Sequence, residues 1–162
     1  MELETLVVID MQEGFHTASH HDTNLAVERE IARARDLGHS IIFVEYENYG
    51  DTNLNLRSIA HDYDRLHVIS KSGDDGSCEV MDCILKNNLP RTLRVCGVNG
   101  DACVYLTLCG LASKVHKFPV IAVVDAINSH QGKNKTLEIC KTYLAKGYAQ
   151  QLVETEYYKE AA

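Results

Sequence analysis

No apolar run in the 162 residues approaches the length of a membrane span. The longest, such as Leu6 to Ile9 and Val120 to Val124, are far short of the ~20 residues that a bilayer requires. The opening Met1-Glu2-Leu3-Glu4 is acidic where an export signal is basic, so a soluble, cytoplasmic protein is expected. Dense Lys/Arg runs are also missing, and 16 basic residues face 23 acidic ones for a net charge of −7. That field repels phosphate backbones and anionic lipid, which argues against nucleic acid and membranes as partners. No C-x-x-C pair accompanies the six cysteines, so a structural zinc site is not expected. With no export signal and a chain long enough to bury a core, disulfide staples are not expected either. Most of the thiols are read as small buried apolar groups. There are only two prolines, and no repeat, low-complexity tract or linker divides the chain. One domain over residues 1–162 is expected.

What is present is an alternation of short β-branched runs and helical stretches. Strands are expected at Thr5 to Ile9, Ser40 to Val44, Leu66 to Ile69, Thr92 to Cys96 and Val120 to Val124, with a short last one at Ala149 to Val153. Helices are expected at Asn24 to Leu37, Cys78 to Leu89, Ala102 to Lys114 and Lys135 to Leu144. Strands apolar on both faces, alternating with helices, imply a parallel sheet covered on both sides. Ligands in such folds bind beyond the carboxyl ends of the strands.

Three of those ends carry reactive groups. Asp10 closes the first strand in Val7-Val8-Ile9-Asp10-Met11-Gln12. Lys71 follows the third in Ile69-Ser70-Lys71-Ser72. Cys103 lies past the fourth, after the turn Gly97-Val98-Asn99-Gly100-Asp101-Ala102, and so at a helix N-terminus. Lys71 and the helix dipole are expected to favour the thiolate. Asp10 can take the thiol proton and return it to a leaving amine. Backbone N–H groups of Asn99 and Cys103 could hold the oxyanion of a tetrahedral intermediate. These are the parts of acyl transfer through a thioester. Phe15, Tyr46 and Tyr105 are candidate pocket walls. The turn lacks the Gly-Lys-Ser/Thr ending of a phosphate loop, so no nucleotide cofactor is expected. His16, His20 and His21 are read as a polar loop rather than a metal site, and Asp125 as a turn cap.

Over nearly its whole length the chain resembles the isochorismatase-like cysteine hydrolases, which include nicotinamidases and N-carbamoyl amide hydrolases. The resemblance rests on Leu6 to Phe15, on Ser70-Lys71-Ser72, on Val95 to Val104 and on Val123-Val124-Asp125-Ala126. It implies a Rossmann-like three-layer α/β/α fold with a mostly parallel sheet of about six strands. It places Asp10, Lys71 and Cys103 on the family's catalytic triad. It further implies a cis peptide between Val98 and Asn99 and a homo-oligomer, dimer or larger. The nicotinamidase branch holds a metal through an Asp-x-His pair after the second strand. Glu45-Tyr46-Glu47-Asn48-Tyr49-Gly50-Asp51 contains no such pair, so no metal is expected here. Cysteine at 103 favours amide or ureido hydrolysis over the cysteine-free isochorismate branch. The expected activity is thus a metal-independent cysteine amidohydrolase acting on a small carboxamide or N-carbamoyl compound. The alternatives are a vinyl-ether hydrolase, and a catalytically silent ligand-binding or scaffold protein on the same fold.

Overall fold

The computed structural model describes residues 1–115 and 117–155. Its frame is β1 (Thr5–Ile9), α1 (His21–Asp36), β2 (Ser40–Tyr46), α2 (Leu54–Ala60), β3 (Leu66–Lys71) and α3 (Ser77–Asn87). β4 (Leu93–Gly97), α4 (Cys103–Ser113), β5 (Val120–Ile127), α5 (Lys133–Ala145) and β6 (Gln151–Val153) follow. A 3₁₀ turn, His16–Ser19, precedes α1. The six strands form one all-parallel sheet in the order β3-β2-β1-β4-β5-β6.

Alternation along the strands builds two cores, because successive side chains leave opposite faces of the pleat. Val7 and Ile9 of β1 join Val80, Ile84, Val104, Leu108 and Tyr143 under α3, α4 and α5. Leu6 and Val8 join Val27, Ile31, Leu56 and Ala60 under α1 and α2. The result is the three-layer arrangement expected from the sequence. Arg94 of β4 faces α1 and grips Glu30 there, Nε–Oε2 2.5 Å and Nη2–Oε1 3.1 Å, with both residues buried.

Several boundaries differ from expectation. α1 begins three residues early because the His20 ring caps it, accepting from the Thr23 N–H at 3.4 Å. β2 and β3 run on to Tyr46 and Lys71, which pair with one another in the ladder. β5 continues to Ile127 through a register shift opposite Val95 and Gly97. Asp125 therefore lies inside a strand and caps no turn. Its carboxylate accepts from the Thr155 N–H and hydroxyl, tying down the chain after β6. α2 was not anticipated; its seven residues bury only Leu56 and Ala60, too few to reveal a helical period. The six cysteines are free thiols, but Cys78 is exposed rather than core.

The order of strands fixes where a ligand can sit. From β1 the chain winds outward to β3, then returns to place β4 on the other side of β1. Such a switch point leaves a crevice beyond the carboxyl ends of the central strands. Gly97 ends β4 there at φ +118°, and a Cβ on it would fall 2.1 Å from the Ile9 carbonyl oxygen. Only glycine permits that close passage.

Candidate active site

Asp10 follows β1 in the left-handed region, φ +53°, which is sparsely populated for residues other than glycine. Its N–H donates to Val44 and its carbonyl accepts from Gln12, so the bend is held on both sides. The bend directs the carboxylate across the end of the sheet. Lys71, two strands away at the end of β3, reaches over β2 to meet it. Lys71 Nζ stands 3.1 Å from Asp10 Oδ2, with both side chains at 0% exposure. Lys71 Nζ also donates to the carbonyls of Gly73 (2.9 Å) and Asp74 (3.3 Å) and lies 3.9 Å from the centre of the Tyr46 ring. Gly76 makes room for it, since a Cβ there would come within 2.9 Å of Lys71 Cδ.

At 3.1 Å and an effective dielectric of about 20 the Asp10–Lys71 attraction is ~5 kcal/mol. Removing two ions from water costs several kcal/mol apiece. The pair therefore contributes little net stability, and its presence calls for a functional reason.

Cys103 is the first residue of α4 and is 4% exposed. Its thiol points toward Asp74 Oδ1 at 3.9 Å and lies within the electrostatic reach of the Asp10 carboxylate. Burial pushes the thiol up to about 12, and Asp10 and then Asp74 add to that against the opposing charge of Lys71. Lys71 favours the thiolate, as expected, but burial and the carboxylates outweigh it and hold the thiol protonated. Burial also raises the Asp10 carboxyl above its ordinary value, against the pull of Lys71.

The Val98–Asn99 peptide is cis. Among the described residues, neither the Asn99 nor the Cys103 backbone N–H donates to an acceptor. The loop that carries them is braced elsewhere. Asn99 Oδ1 accepts from Thr17 Oγ1 (2.5 Å), the Gly100 N–H donates to the Asn128 carbonyl (2.8 Å), and the buried Tyr143 hydroxyl donates to the Gly100 carbonyl.

Phe15 and Tyr46 stand together at the mouth, ring centroids 6.1 Å apart. Tyr49 completes the group, stacked on Phe15 at 4.3 Å and edge-on to Tyr46 at 5.1 Å. Gln12 holds this wall in place. Its amide donates to the carbonyls of Tyr46 and Gly50 and accepts from the Tyr46 N–H. Tyr105 does not join the wall. It packs with Tyr143 and Tyr148 and accepts from Lys146 Nζ at 2.6 Å. The sequence reading missed Tyr49, Asp74 and Gln12 as site residues; Gln12, directly after Asp10-Met11, and Tyr49, in the stretch after the second strand, lay in quoted segments, and Asp74 did not. His16 is exposed, His20 caps α1 and His21 opens it. Among the described residues no three His, Cys, Asp or Glu side chains are grouped to hold a metal ion. No described helix is long and apolar enough to cross a membrane.

The isochorismatase domain family matches residues 4–145. No curated protein matches the chain. Solved structures do. The MAR1 ribonuclease from Caenorhabditis elegans is 21% identical, with a TM-score of 0.74, covering 94% of this chain and 77% of its own. The nicotinamidase SaPncA from Staphylococcus aureus is 14% identical, with a TM-score of 0.73, covering 95% and 100%. The N-carbamoylsarcosine amidase from Thermoplasma acidophilum is 16% identical, with a TM-score of 0.73, covering 96% and 98%. At these identities the likeness is one of fold.

Proposed function

The chain belongs to the isochorismatase domain family, a family of hydrolases, and from that premise we propose that it is a cysteine amidohydrolase acting on a small carboxamide or N-carbamoyl compound. The observation that carries the proposal is the buried Asp10–Lys71 pair at 3.1 Å, set beside the thiol of Cys103 at the switch point of the sheet.

With the thiol protonated and Asp10 ionised, a proton can pass from Sγ to the carboxylate as sulfur attacks the substrate carbonyl. The new C–S bond places negative charge on the carbonyl oxygen, where the N–H groups of Asn99 and Cys103 receive it. Asp10 then gives the proton to the leaving nitrogen, the C–N bond breaks, and a thioester remains on Cys103. Water, deprotonated by Asp10, attacks the thioester. The acid leaves, and the proton returns to sulfur. Lys71 stays charged throughout. It balances Asp10 in the resting state and the thiolate once the proton has moved. No step requires a metal or cofactor. A homo-oligomer, dimer or larger, is proposed on the family resemblance.

The burial of Cys103 favours a second reading, a silent ligand-binding protein, because a residue only 4% exposed offers a substrate little access. The acidic charge and the carboxylates at the thiol weigh against a polyanion such as RNA as substrate. Ammonia release from a panel of small amides, by the wild type and by Cys103→Ala, separates these readings. Turnover that disappears with the thiol supports the hydrolase, and no turnover by either protein supports the silent one.

A further inference from the structure

The loop Ser72–Gly76 between β3 and α3 brings a second carboxylate to the candidate nucleophile. Asp74 Oδ1 lies 3.9 Å from Cys103 Sγ and accepts from the Tyr46 hydroxyl at 3.1 Å. Its backbone is held from below, where its carbonyl and that of Gly73 accept from Lys71 Nζ. Asp74 is exposed, so its carboxylate faces the approach to the sulfur rather than the core. The proton transfers described above use Asp10 and leave Asp74 without a role.

Geometry indicates one. A carbonyl carbon about to be attacked stands ~3–3.5 Å from the sulfur. Its acyl-side neighbour is ~1.3–1.5 Å further on. With Asp74 Oδ1 only 3.9 Å from the same sulfur, an atom one or two bonds beyond the carbonyl comes within hydrogen-bonding reach. A carboxylate only accepts hydrogen bonds, and those from charged donors are the stronger.

We propose that Asp74 is a specificity-determining residue: it receives an N–H donor, ureido or ammonium, carried on or one atom from the scissile carbonyl, and turns away substrates that bear a carboxylate there. The proposal rests on Cys103 being the nucleophile. It narrows the substrate from any small amide to one with a nitrogen donor on its acyl side. The charges that act most strongly on the thiol agree with it, two acids (Asp10 and Asp74) against one base (Lys71). An anionic acyl group would enter against that balance.

Four small probes of similar size test the idea. Glycinamide offers an ammonium, N-methylurea a neutral N–H, propionamide a methyl group in the same place, and malonamate a carboxylate. Each is titrated at constant ionic strength into isotope-labelled Cys103→Ala protein, and binding is read from the amide resonances of residues 72–76. An exposed charge contact is worth at most about fivefold, so attraction of one ion and repulsion of the other separate glycinamide from malonamate by roughly tenfold. N-methylurea is expected to bind more tightly than propionamide. Asp74→Asn in the same background brings the glycinamide-to-malonamate ratio to within about threefold. Asp74→Lys reverses it. A glycinamide preference without one for N-methylurea supports the ammonium form of the proposal. Malonamate binding as tightly as glycinamide, a ratio unchanged by Asp74→Asn, or no perturbation by any probe would overturn it. Ammonia release from the same four compounds by the wild type reports on the nucleophile separately, so failure of either idea is visible without the other.

Discussion

Cys103 is protonated at rest because three effects outweigh one. Burial, Asp10 and Asp74 all disfavour a second negative charge, and Lys71 alone favours it. The nucleophile is therefore made when it is needed, by proton transfer to Asp10. Asp10→Asn separates charge from proton transfer. Loss of the negative charge beside the sulfur is expected to lower the thiol pKa below the wild-type value of about 12, as ultraviolet thiolate absorbance would show. Loss of the base is expected to slow turnover by ~10²- to 10⁴-fold all the same. A more acidic thiol in a slower protein is the signature of a base, whereas a mere charge-balancing role for Asp10 predicts unchanged or faster turnover. Asp10, Lys71 and Cys103 could be read from the sequence because Asp10 and Lys71 sit at the ends of strands and Cys103 opens the helix after the glycine-bearing turn that follows β4, and strands announce themselves as β-branched runs. Asp74 could not, because a five-residue loop has no period, and its distance to the sulfur depends on how Lys71 and Tyr46 hold it. Tyr105 failed for a simpler reason. Two residues along a helix turn the side chain by about 200°, which sends Tyr105 to the side of α4 away from Cys103.

At the scale of elements, the site depends on β1 and β4 lying side by side with α1 pressed on one face. The Glu30–Arg94 pair joins α1 to β4 there, buried and doubly bonded. Breaking such a pair on one side leaves an uncompensated charge and costs ~3–5 kcal/mol. Glu30→Ala is expected to lower Tm by roughly 6–20 °C, taking ~2–4 °C per kcal/mol for a chain of this size. The double change Glu30→Met with Arg94→Met is expected to recover most of that loss, since well-packed apolar residues often replace a buried pair at little cost. Calorimetry of the single and double variants checks both. A double variant as unstable as the single one would show that the pair acts through more than its charge. The sequence displayed β4 as a strand, but a charged residue in it gave no hint of the partner 64 positions away.

For the whole molecule, the balance of buried ionisable groups sets the response to acid. His39 lies in the turn from α1 to β2, 1% exposed, where Nδ1 accepts from the Glu4 N–H at 3.0 Å. Burial lowers its pKa from 6.5, so below that pH the unfolded chain takes up a proton that the folded one refuses. The stability this neutral ring contributes is complete above about pH 6.5 and is lost as the pH falls toward the lowered value. Asp10 works in the opposite sense, because its raised pKa means that protonation in acid relieves its burial. Urea unfolding at pH 7.5 and 5.5 is expected to show a smaller drop for His39→Gln than for the wild type. Equal drops would remove His39 from the account. The layers and parallel sheet were legible from alternating strands and helices, because burial on both faces leaves continuous apolar runs. The aromatic wall was not, since Phe15, Tyr46 and Tyr49 meet only once Gln12 has tied the end of β2 to the segment after β1.

The central claim is that Cys103 is acylated during turnover. The direct measurement is peptide mass mapping of protein quenched in acid during reaction with a panel of small primary amides and N-carbamoyl compounds, alongside ammonia release by Cys103→Ala. The account predicts an acyl mass on the Cys103 peptide and on none of the other five cysteines, with ammonia release falling by at least ~10³-fold in the variant. Ammonia release by Cys103→Ala within tenfold of the wild type, or a panel that neither acylates Cys103 nor yields ammonia, would contradict it.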